Sequence, residues 1–530
     1  HGAVYCLRPT NQTLLQCDIK RVSDHNHSSH VAVGGDVGSS SLSIIHFNDV
    51  YELREREKEP VGGVSRFKSK IDSLRLQDPL VLFSGDALSP SNMSTITKGL
   101  HMVPVLNKLG VNVAVYGNHD FDFGIDQLVK VSQQTSFPWL MSNVLDRRTN
   151  RPLAEGKRYI VLDWKGTKVG LMGLVEWEWL DTLANLGQED VVFTDFVDVA
   201  LELVKELKQQ GCQLLIALTH MRIPNDVRLA KEVQELDLVL GGHDHHYEKR
   251  QVGRTIVLKS GSDFRELSQI DVTFTAQGPQ FAITKHTVTG EVPHDPDMQK
   301  LVDDFSELMD QGMEKELIVL DCDLDGSFSS VRTQETNLGN LVADIMLRAT
   351  RAEAALLNSG CLRSDAIHEK GPFKMKDLKS IVPMVDPLAV LEVTGRQLVA
   401  ALENGVSQYP KHEGRFPQVS GIRFSFDPSQ PVGGRVLARS VCVDGTPVEP
   451  DHLYRLCTKG YLATGKDGYE VFKEAHVLVR QEEGPILDAI IANYLQEVND
   501  AEWASKSERG HISPQVDGRI TMTIHEAAAG

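Results

Sequence analysis

Residues 115–124 read Val115-Tyr-Gly-Asn-His-Asp-Phe-Asp-Phe-Gly124. The apolar run that leads into them, Val111 to Tyr116, predicts a short buried strand. That strand stops at Gly117, and Asn118, His119, Asp120 and Asp122 follow at once. Polar side chains packed onto the exit of a buried strand are costly unless something there uses them. Four other apolar runs end the same way. Ser43-Ile-Ile-His-Phe-Asn-Asp49 delivers Asp49, and Leu80-Val-Leu-Phe-Ser-Gly-Asp86 delivers Asp86. Leu214-Leu-Ile-Ala-Leu-Thr-His220 delivers His220, and the run from Leu236 delivers His243, with Asp244, His245 and His246 behind it. Ligands in open α/β sheets gather outside the carboxyl ends of strands. The five exits therefore predict one site assembled from five segments. A lone Asp or His at a strand end is usually a cap or a satisfied core group; five in succession, all of ligand type, exceed that explanation.

Outward from this stretch, residues 42 to about 275 alternate strands with helical patterns at 62–76, 94–109 and 196–210, which predicts an α/β sheet domain covered by helices. Residues 295–316 carry Met298, Leu301, Val302, Phe305 and Leu308 on one helical stripe and predict a linker helix between domains. A second α/β domain is expected over 320–522, with helices at 337–350, 394–407 and 485–498 and strands at 354–357, 421–426 and 441–443. Residues 1–41 read as a polar leader and 523–530 as a tail. The first domain is accordingly placed at 42–294 and the linker at 295–319.

At 530 residues two or more domains are expected. The formal charge of −18 argues against a surface for nucleic-acid polymers or anionic membranes. It leaves phosphate substrates open, because a bound cation inverts the local field. No apolar run approaches the ~20 residues of a membrane-spanning helix. The seven scattered cysteines contain no CxxC pair, which suits buried thiols in a reducing, cytoplasmic setting better than a disulfide framework. The chain begins at His1 and carries sequons at Asn11, Asn26 and Asn92, so export after removal of a signal segment stays open.

Carboxylate, carboxamide oxygen and imidazole suit Zn, Mn, Mg or Co rather than a thiolate-selecting metal. A carboxylate such as Asp86 can bridge two cations roughly 3.5–4 Å apart, the spacing used in phosphoester hydrolysis. His119, beside a ligand yet free to face substrate, has the chemistry to stabilise the transition state or protonate a leaving oxygen. Asp122, three residues on, is placed to orient that imidazole.

Asn48-Asp-Val, Gly85-Asp86, Gly117-Asn-His-Asp-Phe-Asp122, Thr219-His220 and Gly242-His-Asp-His245 resemble, in this order, the calcineurin-like metallophosphoesterase signature. Glu335-Thr-Asn-Leu-Gly-Asn-Leu-Val-Ala-Asp344 and Leu357-Asn-Ser-Gly-Cys-Leu-Arg363 extend the resemblance to the 5′-nucleotidase / UDP-sugar hydrolase family over roughly 42–522. It implies a four-layer sandwich followed by an α/β substrate domain, and hydrolysis of nucleoside monophosphates with two divalent metal ions. One metal would sit on Asp49, Asp86 and His245, the other on Asp86, Asn118, His220 and His243. His119 and Asp122 would form the catalytic dyad. Arg363 would reach the substrate, while Phe416 and Tyr469 would sandwich a nucleobase, although either ring taken singly reads as a core residue.

The chain departs from the family pattern at three places. Asp-x-His is Asp49-Val-Tyr51, so a histidine ligand is missing; a glycine-rich loop is Asn358-Ser-Gly-Cys-Leu-Arg363; and Pro-Phe-Gly-Asn is Pro383-Met-Val-Asp386. These leave open a nucleotide-sugar or dinucleotide pyrophosphatase, a cyclic-nucleotide phosphodiesterase or a sugar-phosphate phosphatase. From another class, they leave open a nucleotide-binding relative weakened in catalysis. A substrate domain carrying Arg363 would also have to approach the metals, with the 295–316 helix as either hinge or rigid spacer.

Overall fold

Strands that are apolar on both faces need cover on both sides, and the N-terminal half supplies it by packing two six-stranded sheets back to back. The computed structural model describes residues 41–75, 78–179, 188–500 and 510–523. Cys6, Cys17, Asn11, Asn26 and the tail beyond residue 523 lie outside the described residues. The first sheet runs Gly278–Thr287, Glu266–Thr275, Ser41–Phe47, Leu80–Phe83, Val113–Val115, Trp139–Leu140 from edge to edge. The second runs Tyr247–Val252, Thr255–Ser260, Leu238–Gly242, Leu214–His220, Thr167–Val175, Tyr159–Trp164.

Alternation along each strand decides which layer a residue joins. Ile44, Leu82 and Val115 of the first sheet meet Leu171, Ile216 and Leu240 of the second in a central core. The opposite faces of the same strands send Phe47 and Phe83 toward helices Val64–Leu74 and Met102–Leu109. Leu215 and Val239 face helices Phe196–Gln209 and Ile223–Glu232. The result is the expected four-layer α/β sandwich. Its central strands run parallel, from Ser41–Phe47 through Leu80–Phe83 to Val113–Val115 in one sheet and from Leu214–His220 to Leu238–Gly242 in the other. Their carboxyl ends therefore open on one side.

Two local expectations change. The single helix predicted over 94–109 is two, Asn92–Thr97 and Met102–Leu109. Lys98 (φ 50°) and Gly99 (φ 81°) are both left-handed between them, and Leu88 packs where a side chain on Gly99 would project. The helix predicted as a linker spans Pro296–Gly312, and its stripe of Met298, Val302 and Phe305 lies in the N-terminal core. It packs on the helices that cover the first sheet, Val64–Leu74, Asn92–Thr97 and Met102–Leu109.

The C-terminal half begins with Glu316–Leu320, which pairs with Gly371–Lys374 and His511–Ile512. Its main sheet runs Pro417–Ser420, Ala354–Asn358, Leu453–Lys459, Leu388–Thr394, His476–Val479. Helices Asn337–Thr350, Gly395–Val406 and Leu487–Asp500 fall where the periodicity predicts them. Among the described residues no helix is long and apolar enough to cross a membrane, and the five described cysteines are free thiols.

Candidate metal centre

Asp49, Asp86 and His220, from three strand exits in two sheets, place ligand atoms within 4.8 Å of one another, and all three are buried. Asp86 is central. Its Oδ2 lies 3.2 Å from His220 Nε2, and its Oδ1 accepts the backbone N–H of His119 at 2.9 Å. His245 Nε2 stands 3.3 Å from Asp49 Oδ1. His243 Nδ1 faces Asn118 Oδ1 at 3.1 Å, and the His220 and His243 rings lie 5.1 Å apart. The six residues expected to bind metal thus converge on one spot.

The donor set fits divalent cations on physical grounds. His220 donates Nδ1–H to the Ser84 carbonyl at 2.7 Å, while its buried Nε2 lacks a well-aligned hydrogen-bond partner. A buried polar atom left in that state requires an explanation, and a cation between Asp49, Asp86 and His220 provides one. The field agrees. Burial pulls the His220 imidazole down, yet Asp86 and Asp49 hold its pKa up at about 9. For His119, burial is overridden by Asp122 and Asp86, which hold it up at about 10. A buried acidic cluster that favours protonated imidazoles is one that attracts positive charge.

Backbone strain falls on three of these ligands. Asp49 (φ 51°), Asp86 (φ 64°) and His243 (φ 79°) are all left-handed, each costing about 1–3 kcal/mol. Several groups hold them there. Asp49 N–H donates to the Gly85 carbonyl and Val50 N–H to the Asp86 carbonyl. Asp120 accepts the backbone N–H groups of Asp86, Ala87, Leu88 and Gly117 at 2.9–3.1 Å. Burial and the charge of Asp86 push its carboxyl up to about 6. A side chain on Gly117 would collide with Asp86 Oδ1, and one on Gly242 with the Ser84 carbonyl; glycine is required at both by close approach.

Beneath the loops, fully buried Lys259 donates to the Met221 carbonyl at 2.6 Å and the Gly242 carbonyl at 2.5 Å. It also pairs with Asp226 at 2.6 Å and Asp244 at 3.3 Å. Met221 follows His220 and Gly242 precedes His243, so one ammonium ties both histidine loops. The expected dyad is assembled as well: His119 Nδ1 lies 3.0 Å from Asp122 Oδ2.

A family model for calcineurin-like phosphoesterases matches residues 42–247, and one for the 5′-nucleotidase C-terminal domain matches 318–474. The chain joins a calcineurin-like phosphoesterase domain to a 5′-nucleotidase C-terminal domain. The Homo sapiens 5′-nucleotidase is 27% identical over 545 residues, covering 92% of each chain. A Bacillus subtilis trifunctional nucleotide phosphoesterase protein is 28% identical over 91% of this chain, which spans only 35% of that protein. Among solved structures, the Haemophilus influenzae NAD nucleotidase superposes with a TM-score of 0.78 at 19% identity, covering 92% of this chain and all of that one. A Thermus thermophilus 5′-nucleotidase precursor gives 0.53 at 26% identity, with 91% and 99% covered.

Calcineurin-like phosphoesterases use divalent metals, and Tyr51 stands where this family's pattern has a histidine. Its hydroxyl lies 2.9 Å from His245 Nε2, 3.1 Å from Asp86 Oδ2 and 3.2 Å from Asp49 Oδ1. Burial and the charges of Asp86 and Asp49 push the phenol well above its ordinary range. Tyr51 is therefore a neutral hydroxyl at the centre of the ligand set, with one proton to share between the Asp49 and Asp86 carboxylates.

The substrate residues expected of a 5′-nucleotidase are placed differently. Arg363 is exposed in the loop that follows strand Ala354–Asn358, and its charge, after burial, lowers the pKa of neighbouring Arg332. Phe416 and Tyr469 do not form an open clamp. Both rings are buried in the C-terminal core, where Phe416 packs edge-on to Phe426 and Tyr469 stacks on Phe472 with centroids 5.4 Å apart. The Tyr469 hydroxyl donates to the Arg415 carbonyl. In this arrangement the part of the C-terminal half that reaches the metal centre is instead the turn Arg480–Gly484. His119 Nε2 lies 3.1 Å from the Glu482 carbonyl and His243 Nε2 3.3 Å from Glu483 Oε1.

Sequence reading assigned Asp120 no role of its own and passed over Lys259 and Glu483. Lys259 did leave a signal, a lone charge inside the apolar strand Thr255–Ser260. Glu483 left none.

Proposed function

We propose that this chain hydrolyses nucleoside 5′-monophosphates with two divalent cations, one held by Asp49, Asp86 and His245 and the other by Asp86, Asn118, His220 and His243. The observation that carries this reading is the buried Asp49–Asp86–His220 cluster with its ligand atoms within 4.8 Å, beside a His–Asp dyad. Paired cations, when bound, acidify a water for attack on phosphorus and neutralise the phosphoryl oxygens. His119, kept protonated by Asp122 and Asp86, donates its Nε2 proton to the leaving oxygen. Asp122 holds the ring by Nδ1 throughout. Arg363 supplies a fixed guanidinium fork for an anionic group of the substrate. The Phe416 and Tyr469 rings serve a base only if the C-terminal loops open, since neither is exposed.

The test is phosphate release from nucleoside monophosphates, nucleotide sugars, cyclic nucleotides and sugar phosphates, run with Mn, Zn, Mg and Co in turn. Nucleoside monophosphates are expected to turn over fastest. A tenfold preference for another class moves the assignment to that class, and no release with any metal removes it.

Tyr51 supports a second reading, a centre with one weakened metal site, because a neutral phenol is a poorer donor than imidazole. Tyr51→His is expected to tighten Mn2+ binding at least about tenfold, roughly 1.4 kcal/mol, as measured by chelator competition. Equal affinity would show that the phenol already serves as a competent ligand.

A further inference from the structure

His243 uses its two ring nitrogens for different purposes. Nδ1 faces Asn118 Oδ1 at 3.1 Å, inside the proposed ligand set. Nε2 points away from it, 3.3 Å from Glu483 Oε1. Glu176, the nearest N-terminal carboxylate on that side, is farther off at 3.9 Å and is already engaged by Arg222 and Asn225. Glu483 lies 240 residues along the chain, in the other half of the molecule.

The turn that carries it is built. Arg480 donates its Nε to Glu483 Oε1 at 2.6 Å and its backbone N–H to Oε2 at 3.0 Å. The N–H groups of Glu483 and Gly484 both return to the Arg480 carbonyl. A side chain on Gly484 would run into the Leu388 carbonyl, so the turn lies flat against the C-terminal sheet. Arg480 also reaches Asp244 Oδ1 at 3.7 Å, and Asn118 Nδ2 donates to the Glu483 carbonyl at 3.5 Å. Glu483 is buried between the two halves.

A histidine that binds metal through one nitrogen carries its proton on the other, and a carboxylate accepting that proton fixes the tautomer and the ring orientation while raising ligand basicity. We infer that Glu483 is a positioning residue for His243, completing a carboxylate–histidine pair across the seam between the halves, so that the hold on a cation depends on how the halves are arranged. The inference rests on the two-metal reading above. The same turn places the Glu482 carbonyl on His119 Nε2. The arrangement that strengthens metal binding thus also occupies the proton donor, and substrate must displace the turn before turnover.

The test is the affinity of the metal-free full-length chain for Mn2+ alone, measured by competition with a chromophoric chelator, with circular dichroism checking the fold. Glu483→Ala is expected to weaken binding about 10–100-fold. Glu483→Gln is expected to stay within about threefold of wild type, because its amide oxygen accepts the same proton. Arg480→Met, which leaves the carboxylate unanchored, falls between them and serves if Glu483→Ala does not fold. Wild-type affinity in Glu483→Ala, equal loss in Glu483→Gln, or no loss in Arg480→Met overturns the role of Glu483 while leaving the two-metal reading intact. A wild-type chain that binds no Mn2+ overturns both.

Discussion

Asp86→Asn is expected to lower phosphate release by at least about a thousandfold with the fold retained. The residue stands at the middle of the centre: Oδ2 faces His220 Nε2 at 3.2 Å and the Tyr51 hydroxyl at 3.1 Å, while Oδ1 caps the His119 backbone N–H. An amide keeps the shape and one acceptor but removes the charge that would bridge two cations. Metal-centred charge stabilisation in phosphoester chemistry is worth several kcal/mol, and about 4 kcal/mol corresponds to a thousandfold in rate. The charge that raises His119 and His220 is lost with it, since Asp86 acts on both. The measurement is kcat on a nucleoside monophosphate, with metal content determined on the same preparation. A purified variant that keeps a tenth of wild-type activity would remove Asp86 from its proposed place.

Lys259→Met is expected to destabilise the N-terminal half by about 3–5 kcal/mol, the range for breaking a buried ion pair from one side. No solvent reaches Lys259, and its loss leaves buried Asp226 without its cation and Asp244 with only Arg480 at 3.7 Å, while releasing the Met221 and Gly242 carbonyls. Burial already raises Asp226, with Lys259 opposing it. Without Lys259 the carboxyl rises further, and a carboxyl raised in the folded state penalises folding above its unfolded pKa. The defect is therefore expected to be larger at pH 8 than at pH 5. Urea denaturation at the two values measures it, and Lys259→Met with Asp226→Leu is expected to recover part of the loss. A single variant within 1 kcal/mol of wild type at pH 8 would mean that this buried cluster contributes little to holding the loops.

The parts of the site that were legible in sequence share one property. Asp49, Asp86, Asn118, His220 and His243 each follow an apolar run by one to three residues, and a buried strand that ends in a polar ligand is a local pattern. The same runs called for a sheet covered by helices, because strands apolar on both faces require cover on both; the four-layer arrangement itself was implied only by the family resemblance. The 94–109 helix was misread for a local reason too: the left-handed pair Lys98–Gly99 ends the helix where the apolar spacing continues. The burial of Phe416 and Tyr469 was not legible, because an aromatic flanked by glycine-rich turns has the same local sequence in a core as at an open face.

The ligand-type residues and the strands that carry them were thus legible in the sequence itself, since both are set by which residues lie next to each other in the chain, whereas the order of strands in each sheet, with Ser41–Phe47 beside Glu266–Thr275, was not. The tertiary structure alone decided that Lys259 ties two histidine loops, that Tyr51 fills the space among Asp49, Asp86 and His245, and that Glu483 meets His243. Each of these contacts joins segments far apart in the chain, and its energy depends on burial and distance, which exist only once the two sheets and the two halves have packed together.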